Sequence, residues 1–169
     1  MKKTILPAIL SVVYFFAIGF TLYKVSFAAD SANVVATVTF QSISVTVASG
    51  TVTYGTMGAS SNKNTNSMAA TQIATNAGNV SEELQIKGKD DSPWTLSATS
   101  GPDQYAHKFC VTSCGTPANY TALTTSYTQL AASVATSGTQ SFDLMIETPT
   151  TSTSYTQRSV DVTVLAVGL

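Results

Sequence analysis

Thr75-Asn76-Ala77-Gly78-Asn79-Val80-Ser81-Glu82-Glu83-Leu84-Gln85-Ile86-Lys87 is the stretch on which the fold turns. Ala77-Gly78-Asn79 is turn chemistry. Beyond it Val80, Glu82, Leu84 and Ile86 fall on one parity, and Ser81, Glu83, Gln85 and Lys87 on the other. Side chains that alternate with a period of two point to opposite faces of a strand. The segment therefore reads as a half-buried strand entered through a tight turn.

The same pattern extends in both directions. Upstream, Val34, Ala36, Val38 and Phe40 alternate with Val35, Thr37 and Thr39, and Ile43, Val45 and Val47 alternate with Ser44, Thr46 and Ala48. Val52 and Tyr54 resume the alternation after Ser49-Gly50, and residues 69–76 form a further strand. Residues 58–67 are polar and read as an exposed loop. Downstream, Trp94, Leu96 and Ala98 alternate with Thr95, Ser97 and Thr99. Residues 105–111, Leu130 to Val134 and Phe142 to Ile146 follow, and Val160 to Val167 closes the chain. Val and Thr suit a pleated surface better than a helix. No window beyond the first thirty residues has an apolar stripe of helical period. The expectation is an all-β fold: an antiparallel, two-sheet, Ig-like β-sandwich of about eight to ten short strands. Trp94, Leu84, Ile86, Phe142 and Leu144 are its expected core.

The first thirty residues read as an address. Met1-Lys2-Lys3-Thr4 is a short basic start, and an apolar run from Ile5 to Tyr23 follows. Ser26 and Ala28 offer the small residues that a signal peptidase accepts, which places a cut after Ala28. The run also approaches the roughly 20 residues of a membrane-spanning helix, so an uncleaved N-terminal anchor is the alternative. Residues 1–28 are thus a signal peptide or anchor helix, and residues 29–169 a single domain. Gly19-Phe20-Thr21-Leu22 resembles a type IV pilin processing site, but the apolar run lies before it instead of after, and Lys24 stands where those proteins carry a glutamate.

Composition narrows the function. Of 169 residues, only 10% are charged, and 27 Thr and 21 Ser take up much of the polar share. With the first 28 residues removed, five basic residues face nine acidic ones, a net −4. A chain without a basic footprint is not expected to bind nucleic acid. The pentapeptide Thr-Ser-Tyr-Thr-Gln occurs at 125–129 and again at 153–157, too short a match to make a structural repeat.

Turn and strand together carry a resemblance. The run from Thr75 to Val80 with Leu84-Gln85-Ile86, and Gly50-Thr51-Val52-Thr53-Tyr54-Gly55-Thr56 upstream, resemble hairpins of exported bacterial Ig-like surface proteins. These include surface-layer-associated domains and, more distantly, camelysin-type biofilm-fibre subunits. The likeness spans residues 43–100. It implies an Ig-like sandwich and a structural role at the cell surface.

Candidate chemistry is sparse. Cys110 and Cys114 enclose three residues, and export favours a disulfide between them. His107-x-x-Cys110-x-x-x-Cys114 could offer three metal ligands, but structural zinc takes four and blue copper needs two histidines. His107 is the sole histidine, with no nucleophile elbow or zinc-protease motif beside it, so no catalytic residue and no cofactor is expected. Glu82 and Glu83 point to opposite faces and cannot act together. Asp90-Asp91-Ser92 could join a weak loop calcium site, a solvated turn being the simpler reading. Asn79-Val80-Ser81 and Asn119-Tyr120-Thr121 are N-glycosylation sequons.

The expected function is that of a non-catalytic, secreted or cell-surface structural or adhesive protein, with residues 33–47 and the final strand either pairing as edges with a neighbouring subunit or lying as central strands buried on both faces within one monomer. The alternative is an extracellular glycan- or protein-binding module, with Tyr105, Tyr120, Tyr127 and Tyr155 as rim aromatics. Contact with a membrane would come only through an uncleaved N-terminal segment.

Overall fold

A computed structural model describes residues 31–169. The signal or anchor expected at 1–28 lies outside the described residues. The chain divides into a unit ending at Val38 and a compact unit from Thr39 to Leu169.

The second unit is all-β, with two sheets. Its strands are β1 (Val45–Ala48), β2 (Asn62–Asn64), β3 (Gln72–Asn76), β4 (Glu82–Lys87), β5 (Thr95–Leu96), β6 (Gln104–Cys110), β7 (Thr121–Ala122), β8 (Thr128–Val134), β9 (Thr139–Glu147) and β10 (Thr163–Gly168). The larger sheet runs β1-β3-β9-β6-β5, with β2 also on β9 and β7 also on β6. The smaller runs β10-β4-β8. Pairing is antiparallel except between β5 and β6, which are parallel.

One core joins the two sheets. Leu84, Ile86, Leu130 and Val134 come from the smaller sheet, and Ala74, Phe109, Phe142 and Leu144 from the larger, with Leu123, just after β7, packed among them. Leu84, Ile86, Phe142 and Leu144 sit in the expected core, but Trp94 does not. Pro93 and Trp94 belong to a turn in which Asp91 and Trp94 exchange backbone hydrogen bonds. Trp94 is half-buried there, and its Nε1–H donates to Ser152 Oγ at 2.8 Å. An indole N–H needs a polar partner, and the Ser152 loop supplies one where an apolar core could not.

Other expected strands moved. Residues 34–40 form none: Val34, Val35, Val38 and Phe40 are 84–96% exposed. Period-two alternation alone cannot make a strand without a neighbour to complete its ladder. Val52 and Tyr54 also lie outside any strand, and β10 begins only at Thr163. Conversely, Asn62–Asn64 within the expected polar loop pairs with Met145–Glu147 of β9, a ladder built from backbone alone.

Asn76 anchors the turn that opens β4. It is wholly buried. Its Nδ2 donates to the carbonyls of Val80 and Val134, and its Oδ1 accepts from Gly78 N–H. Gly78 is required by close approach: a Cβ there would collide with the Ser42 carbonyl and the Glu82 carboxylate.

Candidate functional site

The two sheets end in edge strands that stand close together without sharing a ladder: β1 on the larger sheet and β10 on the smaller. No residue of either edge strand is fully buried, whereas Glu82, Leu84 and Ile86 on central β4 are. The inward side chains Val45 and Val47 of β1, and Val164 and Ala166 of β10 with Val162 just before it, pack on the core but remain half-buried. Outward, Leu165, Val167 and Leu169 are 37–64% exposed. The side of the core between β1 and β10 is therefore an open apolar seam.

Its backbone is unpartnered too. Leu169 N–H donates to the Ser81 carbonyl, continuing the β10–β4 ladder. Alternation along the strand then turns the N–H and C=O of Val164, Ala166 and Gly168 toward the free edge. On β1, Ala77 N–H donates to the Ser44 carbonyl, so Val45 and Val47 likewise face away from β3.

One end of the seam is closed by a side-chain clasp. Asn79 Oδ1 accepts from Ser42 N–H at 2.8 Å, its Nδ2 donates to the Phe40 carbonyl at 2.8 Å, and its own N–H donates to the Ser42 carbonyl. Glu82 Oε1 accepts from Ser44 N–H at 2.8 Å. Glu82 is 0% exposed and its Oε2 has no partner. Gln41 and Ile43 lie against Gly168, where they leave no room for a Cβ.

Cys110 and Cys114 are bonded, with Cα atoms 5.6 Å apart, a normal disulfide span. They pack with Tyr120 and Met145 in a small cluster of their own. The bridge removes the cysteines from any metal set. Among the described residues, no group of three or more His, Cys, Asp or Glu stands close enough to hold a metal. Asp90 Oδ1 accepts from Leu96 N–H within its own turn, and Asp91 lies 3.8 Å from the guanidinium of Arg158, far away in sequence.

His107 is buried, 2% exposed, in the middle of β6. Its Nε2 lies 3.2 Å from Tyr54 Oη, and its Nδ1 has no partner. Burial holds its pKa down at about 4, so the ring is neutral. Burial first, and then the charge of Asp143 and the nearby Tyr120, raises the Tyr54 phenol above its usual range. Tyr105 is raised by burial and by Asp90, Asp91 and Asp161. Asp143, buried on β9, accepts from the hydroxyls of Thr65 and Thr71 at 2.7 and 2.8 Å. His107 and Tyr54 meet through one hydrogen bond, Asp143 is held by Thr65 and Thr71, and His107 Nδ1 stays unpartnered. The expected rim aromatics divide: Tyr105 and Tyr120 are buried, Tyr127 and Tyr155 exposed.

No family model, curated protein or solved structure matches the chain.

The seam and the clasp were missed in the sequence, although one signal for Glu82 was present. It shares a parity with Val80, Leu84 and Ile86, which sets a carboxylate on the apolar face.

Proposed function

We propose that this chain is an exported structural subunit of the cell surface, an Ig-like sandwich that joins its neighbours by strand addition. In this reading the exposed N-terminal segment of one copy enters the β1/β10 seam of the next. The observation that carries it is the open seam: five half-buried core side chains, with unpartnered backbone on both bordering strands. An open strand edge is a template for another chain, and an extended segment with alternating apolar side chains fits it. Residues 34–40 have that character and are exposed throughout. Val34, Ala36 and Val38 would fill the core side, and the inserted backbone would pair with β1 and β10, while Phe40 stays held by Asn79 of its own chain. The Ig-like assignment follows from the resemblance of residues 43–100, and export from the first 28 residues. The alternative, a glycan- or protein-binding module, retains only Tyr127 and Tyr155 of its four aromatic candidates.

The test is a double substitution, Val34→Asp with Val38→Asp, in the full-length exported chain. Both positions are exposed, so the monomer should keep its β-sheet circular dichroism. Wild-type protein from the native envelope should sediment as filaments or arrays, and the variant as monomer. Assembly of the variant at the wild-type concentration would refute insertion.

A further inference from the structure

The two ends of the seam are unlike. β1 runs from Val45 to Ala48 and begins just after Ser44, whose N–H is held by Glu82 Oε1. β10 runs from Thr163 to Gly168 and finishes against Gln41 and Ile43, whose side chains occupy the space that a Cβ on Gly168 would need. β1 therefore leaves the clasped end and β10 arrives there, so the two borders run antiparallel to each other. Asn79 grips Phe40 and Ser42 through their backbone at that end, and the chain's own residues 40–44 fill the mouth of the seam. At the far end stand Ala48 on β1 and Thr163 on β10, both exposed, with half-buried Val162 just before the latter. No backbone hydrogen bond among the described residues joins β1 to β10.

A strand laid between antiparallel borders is parallel to one and antiparallel to the other. We infer that residues 31–38 of a second copy of this chain enter the seam in one direction only: parallel to β1 and antiparallel to β10, with the N-terminal residues leading from the far end toward the clasp. This inference rests on the insertion proposed above and gives it a direction. The first reason is the lack of a linker. Val38 stands two residues before Phe40, which Asn79 holds to its own domain, and two residues span only about 7 Å. The donor domain must therefore sit at whichever mouth its Val38 emerges from. The second reason is room. In the acceptor the clasped mouth is taken by residues 40–44 against Asn79, Glu82 and Gly168, and a donor domain arriving there would meet them. The far mouth has no such strap. Each copy thus sets its clasped end on the far end of the next. Contact between unlike ends is heterologous and repeats head to tail, giving an open filament instead of a two-fold dimer.

The experiment is disulfide trapping between unlike copies of the full-length chain. Cys110 and Cys114 are bonded to each other, so an introduced cysteine is the free thiol. Alternation that turns Val34, Ala36 and Val38 inward leaves Asn33, Val35 and Thr39 on the outer side, with Leu165 and Val167 of β10. Acceptor copies carry Val167→Cys, next to the clasped end. Donor copies carry Asn33→Cys, Val35→Cys or Thr39→Cys. All four positions are exposed, so each chain should keep the wild-type circular dichroism; Leu165→Cys replaces Val167→Cys if that chain does not fold. Donors and acceptors are mixed, assembled and oxidised, and linked pairs of unlike copies are read by intact mass. A disulfide needs Cα atoms within about 7 Å. In the inferred direction Asn33 or Val35 stands beside Val167, and Thr39 lies at least four residues further on, about 13 Å away or more. Unlike pairs are expected from Asn33→Cys or Val35→Cys and none from Thr39→Cys. Pairs from Thr39→Cys overturn the direction, whether or not the other two link, and so does the absence of any pair. The same cysteines in the Val34→Asp, Val38→Asp chain should give no pairs; pairs that persist there arise from collision and also overturn the inference. If the Val34→Asp, Val38→Asp chain assembles normally, the insertion itself falls and the direction with it; if that chain is monomeric while Thr39→Cys links, only the direction falls.

Discussion

Acid should destabilise the fold through His107 in a defined window. The ring is 2% exposed in the middle of β6, and burial lowers its pKa from 6.5 to about 4. A group whose folded pKa is depressed leaves the unfolded chain to take up the proton first. Its contribution is complete above pH 6.5 and is lost as the pH falls toward 4, where the folded ring also protonates and the slope ends. A shift from 6.5 to about 4 corresponds to about 3 kcal/mol, a large part of a typical domain's stability. The geometry explains why the protein does not adapt: Nδ1 has no partner, and Nε2 meets only the Tyr54 hydroxyl. A protonated ring would need a second acceptor. The assay is urea denaturation at a series of pH values from 8 to about 4, read by the fluorescence of Trp94, the single tryptophan. Carboxylates also titrate over this range, so the comparison is with His107→Gln. The gap between the two curves should close by about 3 kcal/mol on acidification. Parallel curves would refute the reasoning and mean that water reaches the ring.

Asn76→Ala strips the Val80 and Val134 carbonyls of their buried donor and should cost roughly 2–4 kcal/mol in equilibrium unfolding; a loss under about 0.5 kcal/mol would show that water replaces the amide. Trp94→Ala should cost less than a core aromatic, about 1–3 kcal/mol, because the ring is half-buried and its N–H is held by a loop serine; a larger loss would return Trp94 to the core. The native protein should resist thiol alkylation until reduced, by intact mass, since Cys110 and Cys114 are bonded. Tyr54 and Tyr105, both raised by burial, should remain phenols in an alkaline ultraviolet titration until the chain unfolds.

Much of the architecture was legible because it depends on parity. Leu84, Ile86, Phe142 and Leu144 alternate with polar residues, and a strand with one apolar face must turn it toward a core. The short Cys110–Cys114 spacing, in a chain that begins like an exported one, likewise made a local disulfide the simplest expectation. Alternation failed where partners decide. Residues 34–40 have as regular a pattern as β4, yet in the single chain no neighbour completes their ladder. The stretch Asn62–Asn64 has no pattern at all and is a strand because β9 runs beside it. Trp94 has the right parity, but its indole N–H is satisfied by Ser152, 58 residues away.

The sequence by itself determined the fold class and the face that each central strand buries, because a side chain's direction follows from its position in the chain. It also determined the low charge and the cysteine spacing. Only the tertiary structure decided which strands lie at the edges, and therefore that β1 and β10 border an open seam. The same folding brought Asn79 to Phe40 and Ser42, and Glu82 to Ser44, across 37 to 39 residues. Hydrogen bonds between such distant positions leave no local trace in a sequence: each partner is chosen by the path of the whole chain.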